Sequence, residues 1–164
     1  SDQNSQEYTL DRNVPVSYDH NLYAHWAKTF KITNNGTGKC LSISGSNYSD
    51  LGNGIAVKVS NYTGANEQKW LVNPTLGAYK VIKSVIDPEF GLCINSSNAA
   101  IVHRIFKNET NAIFTIFSYG DYHKIIKYDG ENTIALTANP STDGLSWTVE
   151  SSSNINQRWT FTQL

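Results

Sequence analysis

The chain has 164 residues, of which 16% are charged, and a formal net charge of −1. A chain of this length suits one domain that buries roughly 70% of its unfolded surface, so a core needs neither a metal nor a disulfide to hold it. The near-zero charge offers no electrostatic handle for nucleic acid or an anionic membrane surface, and no apolar run approaches the ~18 residues that a membrane-spanning helix requires.

Residues 1–26 stand apart from the rest. Ser1 to Asn13 is polar and without period, the pattern of a terminal arm. Pro15 to Trp26 concentrates Val16, Tyr18, Leu22, Tyr23 and Trp26 with neither a twofold nor a helical period. Two readings stay open: these aromatics fold back on the body of the protein, or they dock on a partner protein, for which amphipathic aromatics are favoured anchors. The chain starts at Ser1, has no Met, is poor in Lys and Glu, and is rich in Tyr, Trp, Asn and Thr. A processed, secreted product is the expectation.

From residue 27 onward the apolar residues alternate in short runs. Thr29-Phe30-Lys31-Ile32 reads as a strand, Asn34-Asn35-Gly36-Thr37-Gly38 as a tight turn, and Cys40-Leu41-Ser42-Ile43 as a second strand. A Ser-, Asn- and Gly-rich loop covers 45–54. Ile55-Ala56-Val57-Lys58-Val59 then turns Ile55, Val57 and Val59 to one face, and a fourth strand carries Gln68-Lys69-Trp70. The next unit repeats the plan with strands at Ala78 to Ile82, Cys93-Ile94-Asn95, Ala100 to Phe106 and Phe114 to Phe117, and a turn at Asp87 to Gly91. The last unit has strands at Tyr122 to Tyr128, Ile134 to Thr137, Ser146 to Val149 and Arg158 to Phe161. No stretch has a helical apolar stripe.

The units end alike. Gln68-Lys69-Trp70 and Gln157-Arg158-Trp159 each place a glutamine two residues before a tryptophan, and Ala112-Ile113-Phe114 is a degraded copy. The aromatics at 70, 114 and 159 are 44 and 45 residues apart, a near-constant step that marks internal repeats. Three units of four strands (27–72, 73–117 and 118–164) define an all-β chain with the architecture of a β-trefoil, preceded by an irregular extension over 1–26.

The Gln-x-Trp phrase closing a repeat, with a Cys-Leu strand near the start, resembles the ricin B-chain type lectins, the Gln-x-Trp β-trefoils. The resemblance covers about residues 27–164 and implies that Trp70, Phe114 and Trp159 are core while the glutamine holds the loop before it. It also implies shallow sugar pockets, up to one per repeat. Each pocket would need a carboxylate early in the repeat, a stacking ring on the third strand, and an amide just before the tryptophan. In the first repeat these positions fall on Ser42, about Lys58, and Glu67, and that pocket reads as lost. In the second they fall on Asn95, Val102 or His103, and Asn111, a partial set. In the third they fall on Thr137, Trp147 and Asn156, with Gln157 beside it. An inward-facing Trp147 is the competing reading, because alternation alone does not say which face is the core. None of the three acid positions carries Asp or Glu, which argues against simple galactose binding.

What the resemblance implies is a lectin-like module for cell-surface glycans or glycoproteins, similar to the binding subunits of bacterial toxins, with residues 1–26 available to other subunits. The alternative is a trefoil with dead sugar sites that serves as a protein scaffold. Catalysis has no support. His20 and His25 have no Cys or acidic partner at metal-site spacing, Gly36-Thr37-Gly38-Lys39 is a turn rather than a phosphate loop, and acidic residues are scattered singly. No cofactor or metal is expected. Cys40 and Cys93 read as symmetry-related, buried, unpaired thiols.

Overall fold

The computed structural model describes residues 27–45, 52–72, 79–105, 110–130 and 132–164. The readings made for residues 1–26, for the centre of the 45–54 loop, and for Ala78 and Phe106 lie outside the described residues.

Among the described residues thirteen strands follow in order: β1 (Lys28–Asn34), β2 (Cys40–Ile43), β3 (Ile55–Ser60), β4 (Trp70–Val72), β5 (Tyr79–Lys80), β6 (Ile82–Ser84), β7 (Phe90–Ile94), β8 (Ala100–Arg104), β9 (Phe114–Ser118), β10 (His123–Asp129), β11 (Asn132–Ala138), β12 (Leu145–Val149) and β13 (Trp159–Gln163). β5 and β6 are one expected strand interrupted at Val81. The only helical segments among the described residues are single 3₁₀ turns at Asn66–Gln68, Thr110–Ala112 and Ile155–Gln157, each ahead of the closing aromatic of its repeat. Gln68 and Gln157 therefore belong to these turns, and the strands start two residues later, at Trp70 and Trp159.

Two layers result. A closed barrel runs β1–β4–β6, then β5–β9–β10–β13 and back to β1, with every neighbouring pair antiparallel. Closure removes the exposed edges that an open sheet would leave. Three hairpins, β2–β3, β7–β8 and β11–β12, cap one end. They meet one another through the β3–β8 pairing and the bridges Lys58↔Gly144 and Ala99↔Ser146. The chain is a β-trefoil.

The threefold can be read from register. Thr33 pairs with Cys40, Lys83 with Gly91, and Ile126 with Ala135, so these are equivalent pairs in the three repeats. The next residues inward form four fully buried triplets: Ile32, Ile82 and Ile125; Leu41, Leu92 and Leu136; Val59, Val102 and Trp147; Trp70, Phe114 and Trp159. Trp70 donates its indole N–H to the carbonyl of Leu41, and Trp159 donates to Leu136, each at 3.0 Å. The closing aromatic is thereby tied to the hairpin of its own repeat, and the indole N–H, which needs a partner once buried, finds one.

This register corrects one expectation. Cys40 is equivalent to Gly91, not to Cys93, and Cys93 falls with Ser42 and Thr137. Matching Cys-Leu-Ser with Cys-Ile-Asn is displaced by two residues from the true register, because the equivalent buried residue is the leucine beside each cysteine. Both cysteines are buried, and no disulfide joins them. Burial pushes the Cys40 thiol up from its ordinary value, and a backbone hydrogen bond and the charge of Lys31 oppose that shift.

Candidate functional site

The third repeat holds the fullest set of expected sugar-binding residues, and the structure separates them. Thr137 and Gln157 come together on the outer face of the β11–β12 hairpin. The Gln157 amide N–H groups point to the Thr137 hydroxyl (3.2 Å), the Thr148 hydroxyl (3.1 Å) and the carbonyl of Val149 (2.9 Å), and its oxygen accepts from the Ser151 N–H (2.8 Å). Gln157 is 0% exposed. A buried amide with both ends engaged fixes the 149–151 segment and has nothing left to offer a sugar. Its role as a direct ligand is corrected to that of a loop anchor.

Gln68 does the same work in the first repeat. Its oxygen accepts from the N–H and hydroxyl of Thr63, and its amide donates to the Ser60 hydroxyl and the Asn61 carbonyl. The second repeat has Ala112 at this position, which is buried but has no amide to give.

Trp147 is the second correction. It is 2% exposed and lies parallel to Phe114, with ring centroids 4.7 Å apart and planes 11° apart. Its ring is part of the core and closed to any ligand. The register explains why: Trp147 pairs with core-facing Leu136, so its neighbours Ser146 and Thr148 turn outward on β12, ahead of the exposed end residue Val149. Thr148 was missed in the sequence although it follows from alternation as soon as Trp147 is assigned inward. The Thr137 and Thr148 hydroxyls are 2.7 Å apart, and together they form the polar outer surface of this hairpin.

Asn156 faces elsewhere. Its carbonyl accepts from the Asn34 amide at 2.8 Å, and its side chain lies over the β1–β2 turn, where a Cβ on Gly36 would come within 2.0 Å of the Asn156 Oδ1. Asn156 thus closes the junction between the third and first repeats instead of joining Thr137.

The second-repeat set is not assembled either. Asn95 turns its side-chain oxygen onto the N–H groups of Ser97 and Ala99, 2.9 Å from each, and so shapes the tip of the β7–β8 hairpin. The register places Cys93, not Asn95, at the position equivalent to Thr137. His103 pairs with Gly91, four residues back from Asn95 along the strand or roughly 13 Å away, and its Nδ1 contacts the carbonyl of Arg104. Asn111 is exposed on its 3₁₀ turn, which packs against β7. Among the described residues no group of three His, Cys, Asp or Glu side chains has the geometry to hold a metal ion.

The fold and these outer faces define the class of protein. The description "Ricin-type beta-trefoil lectin domain-like" matches residues 20–144, about three quarters of the chain. The chain belongs to that family. The matched stretch begins within the 1–26 segment and stops before β12, while the barrel itself closes between β1 and β13.

A search of curated proteins gave no match. Among solved structures the chain is similar to the designed threefold-symmetric protein ThreeFoil, at 17% identity with a TM-score of 0.69, covering 83% of this chain and 99% of the other. It is similar to the Vibrio vulnificus hemolysin/cytolysin β-trefoil lectin solved with N-acetyl-D-lactosamine bound, at 18% identity and a TM-score of 0.65, covering 84% and 95%. It is also similar to a mosquitocidal holotoxin, at 17% identity and a TM-score of 0.70, covering 84% of this chain and 17% of that one. At these identities the likeness establishes the fold, and the chain spans about a sixth of the holotoxin.

Proposed function

We propose that the chain is a non-catalytic carbohydrate-binding module that works outside the cell as the glycan-binding part of a secreted toxin or similar multi-part protein. The observation that carries this reading is membership of the lectin-like trefoil family over residues 20–144. Two features support it. The glutamine anchors of the first and third repeats are intact, so the loops that frame an outer-face pocket are held rigidly. The Vibrio vulnificus relative is itself a trefoil with a bound disaccharide.

A second reading has its own observation. With Trp147 buried and no acid at Ser42, Cys93 or Thr137, the third-repeat pocket lacks its ring and all three lack a carboxylate, as expected of a scaffold that engages partner proteins. The two readings part on a multivalent glycan array. One shallow pocket binds free sugar weakly, on the order of 0.1–1 mM or about 4–5.5 kcal/mol, so multivalent display is needed to see it. Binding that free sugar competes away is the result expected of the lectin. A blank array for correctly folded protein overturns it and leaves the scaffold.

A further inference from the structure

Each repeat passes to the next at a junction where a 3₁₀ turn meets the first strand of the following repeat. Two junctions are sealed. The Asn35 N–H bonds the Arg158 carbonyl (2.9 Å) beneath the Asn156 side chain, and the Val85 N–H bonds the Lys69 carbonyl (3.2 Å). The junction between the second and third repeats differs. There the β9–β10 ladder runs from His123↔Ser118 to Ile126↔Thr115 and stops. Beyond its end lies an open cleft of about 210 Å³, lined by Thr110, Ile113, Thr115, Ile126, Lys127 and Tyr128.

We propose that this cleft is a subsite for a single neutral sugar ring, in place of the hairpin-face pockets that have lost their rings and acids. The inference rests on the lectin reading and assigns that activity a location. Its walls have the two characters of a pyranose. Tyr128 is 56% exposed and offers an amphipathic ring to the sugar's C–H face, helped by Ile113 and Ile126. Thr115 is only 6% exposed and is a polar side chain of the cleft lining, able both to donate to and to accept from a sugar hydroxyl. Lys127 gives one of its three donors to the carbonyl of Thr110, which fixes the ammonium at the cleft wall with donors to spare. Pockets for drug-sized ligands run to about 300–1,000 Å³, so this smaller volume suits one ring.

The stacked tyrosine pair elsewhere on the surface is less suitable. Tyr119 and Tyr122 stack with centroids 5.3 Å apart, and Lys124 and Arg158 lie over their rings.

The test is a multivalent glycan array on the wild type, Tyr128→Ala, Thr115→Val and Thr148→Ala. It is followed by a two-dimensional NMR titration of the wild type with the terminal monosaccharide of the best-bound glycan. Tyr128 is exposed, so its truncation leaves the fold intact. The expected result is about tenfold or greater loss in Tyr128→Ala and Thr115→Val, near-wild-type binding in Thr148→Ala, and amide shifts centred on residues 110–128. Loss confined to Thr148→Ala, with shifts on the β11–β12 hairpin, overturns the cleft and keeps the lectin. A wild type that binds nothing on the array overturns both.

Discussion

Phe114 and Trp147 lie face to face, 4.7 Å apart and 11° from parallel, in the same layer of the core. Phe114 is the one closing aromatic that is not tryptophan, and Trp147 stands where the other repeats have Val59 and Val102. The larger ring in the third repeat occupies space that the smaller ring in the second repeat leaves, so the core stays filled while its threefold symmetry is broken.

Trp147→Ala should therefore unfold the protein more easily by about 3–5 kcal/mol, the cost of deleting a large buried aromatic, and Trp147→Phe by clearly less. Urea denaturation followed by Trp fluorescence measures both. A destabilisation under about 1 kcal/mol for the alanine variant would mean that the ring is not part of the core. The variant's loss of any glycan binding would track its unfolded fraction and would say nothing of a sugar contact.

Repeat length, strand placement and the trefoil itself were legible in the sequence because closing aromatics at steps of 44 and 45 survive every local irregularity. The face of each side chain was less so. Alternation in Ser146-Trp147-Thr148-Val149 is compatible with either face until Trp147 is seen to pair with Leu136. The second-repeat register slipped for a related reason: two cysteines are a conspicuous anchor in a sequence, yet the conformational constraint lies on Leu41, Leu92 and Leu136. The junction cleft had no local signature, since Thr110, Thr115 and Tyr128 come from three segments that meet only through the β9–β10 pairing.

Gln157 and Gln68 give a second prediction. Replacing Gln157 by Ala leaves the Val149 carbonyl and the Ser151 N–H without their side-chain partner, at a cost of about 1–3 kcal/mol. Gln157→Glu should be no better, because a carboxylate keeps the acceptor for Ser151 but sets a negative oxygen against the Val149 carbonyl. Gln68→Ala should behave alike in the first repeat. Thermal unfolding with hydrogen exchange at residues 149–151 reads the effect. Unchanged exchange there in Gln157→Ala would rule out the anchoring role.

Lys124 is a cation inside the fold, 1% exposed, and its ammonium is bonded to the Glu150 carboxylate and to the carbonyl of Ser151 (2.8 Å). Removing only the acid strands a buried charge, which generally costs about 3–5 kcal/mol, although the carboxylate's partial exposure to water places Glu150→Gln toward the lower end. Lys124→Met, of similar length and without charge, should cost less than Glu150→Gln. Urea midpoints for the two single variants test the order. The reverse order would show that packing around the lysine stem outweighs the ion pair.

The last prediction concerns pH. Burial raises the Cys40 thiol above its ordinary value of 9.0, and the thiol also donates to the Ser60 carbonyl at 3.2 Å. The folded state therefore holds this proton more tightly than the unfolded chain does. The associated stability is fully present below pH 9, and it is lost as the pH rises beyond it, because only the unfolded chain then gains by ionising. Unfolding free energy should fall above pH 9 more steeply in the wild type than in Cys40→Ala, which has no thiol at this position to titrate. Parallel curves for the two proteins through pH 10 would remove Cys40 as the cause, whereas convergence of the curves would assign the alkaline loss to this one buried sulfhydryl.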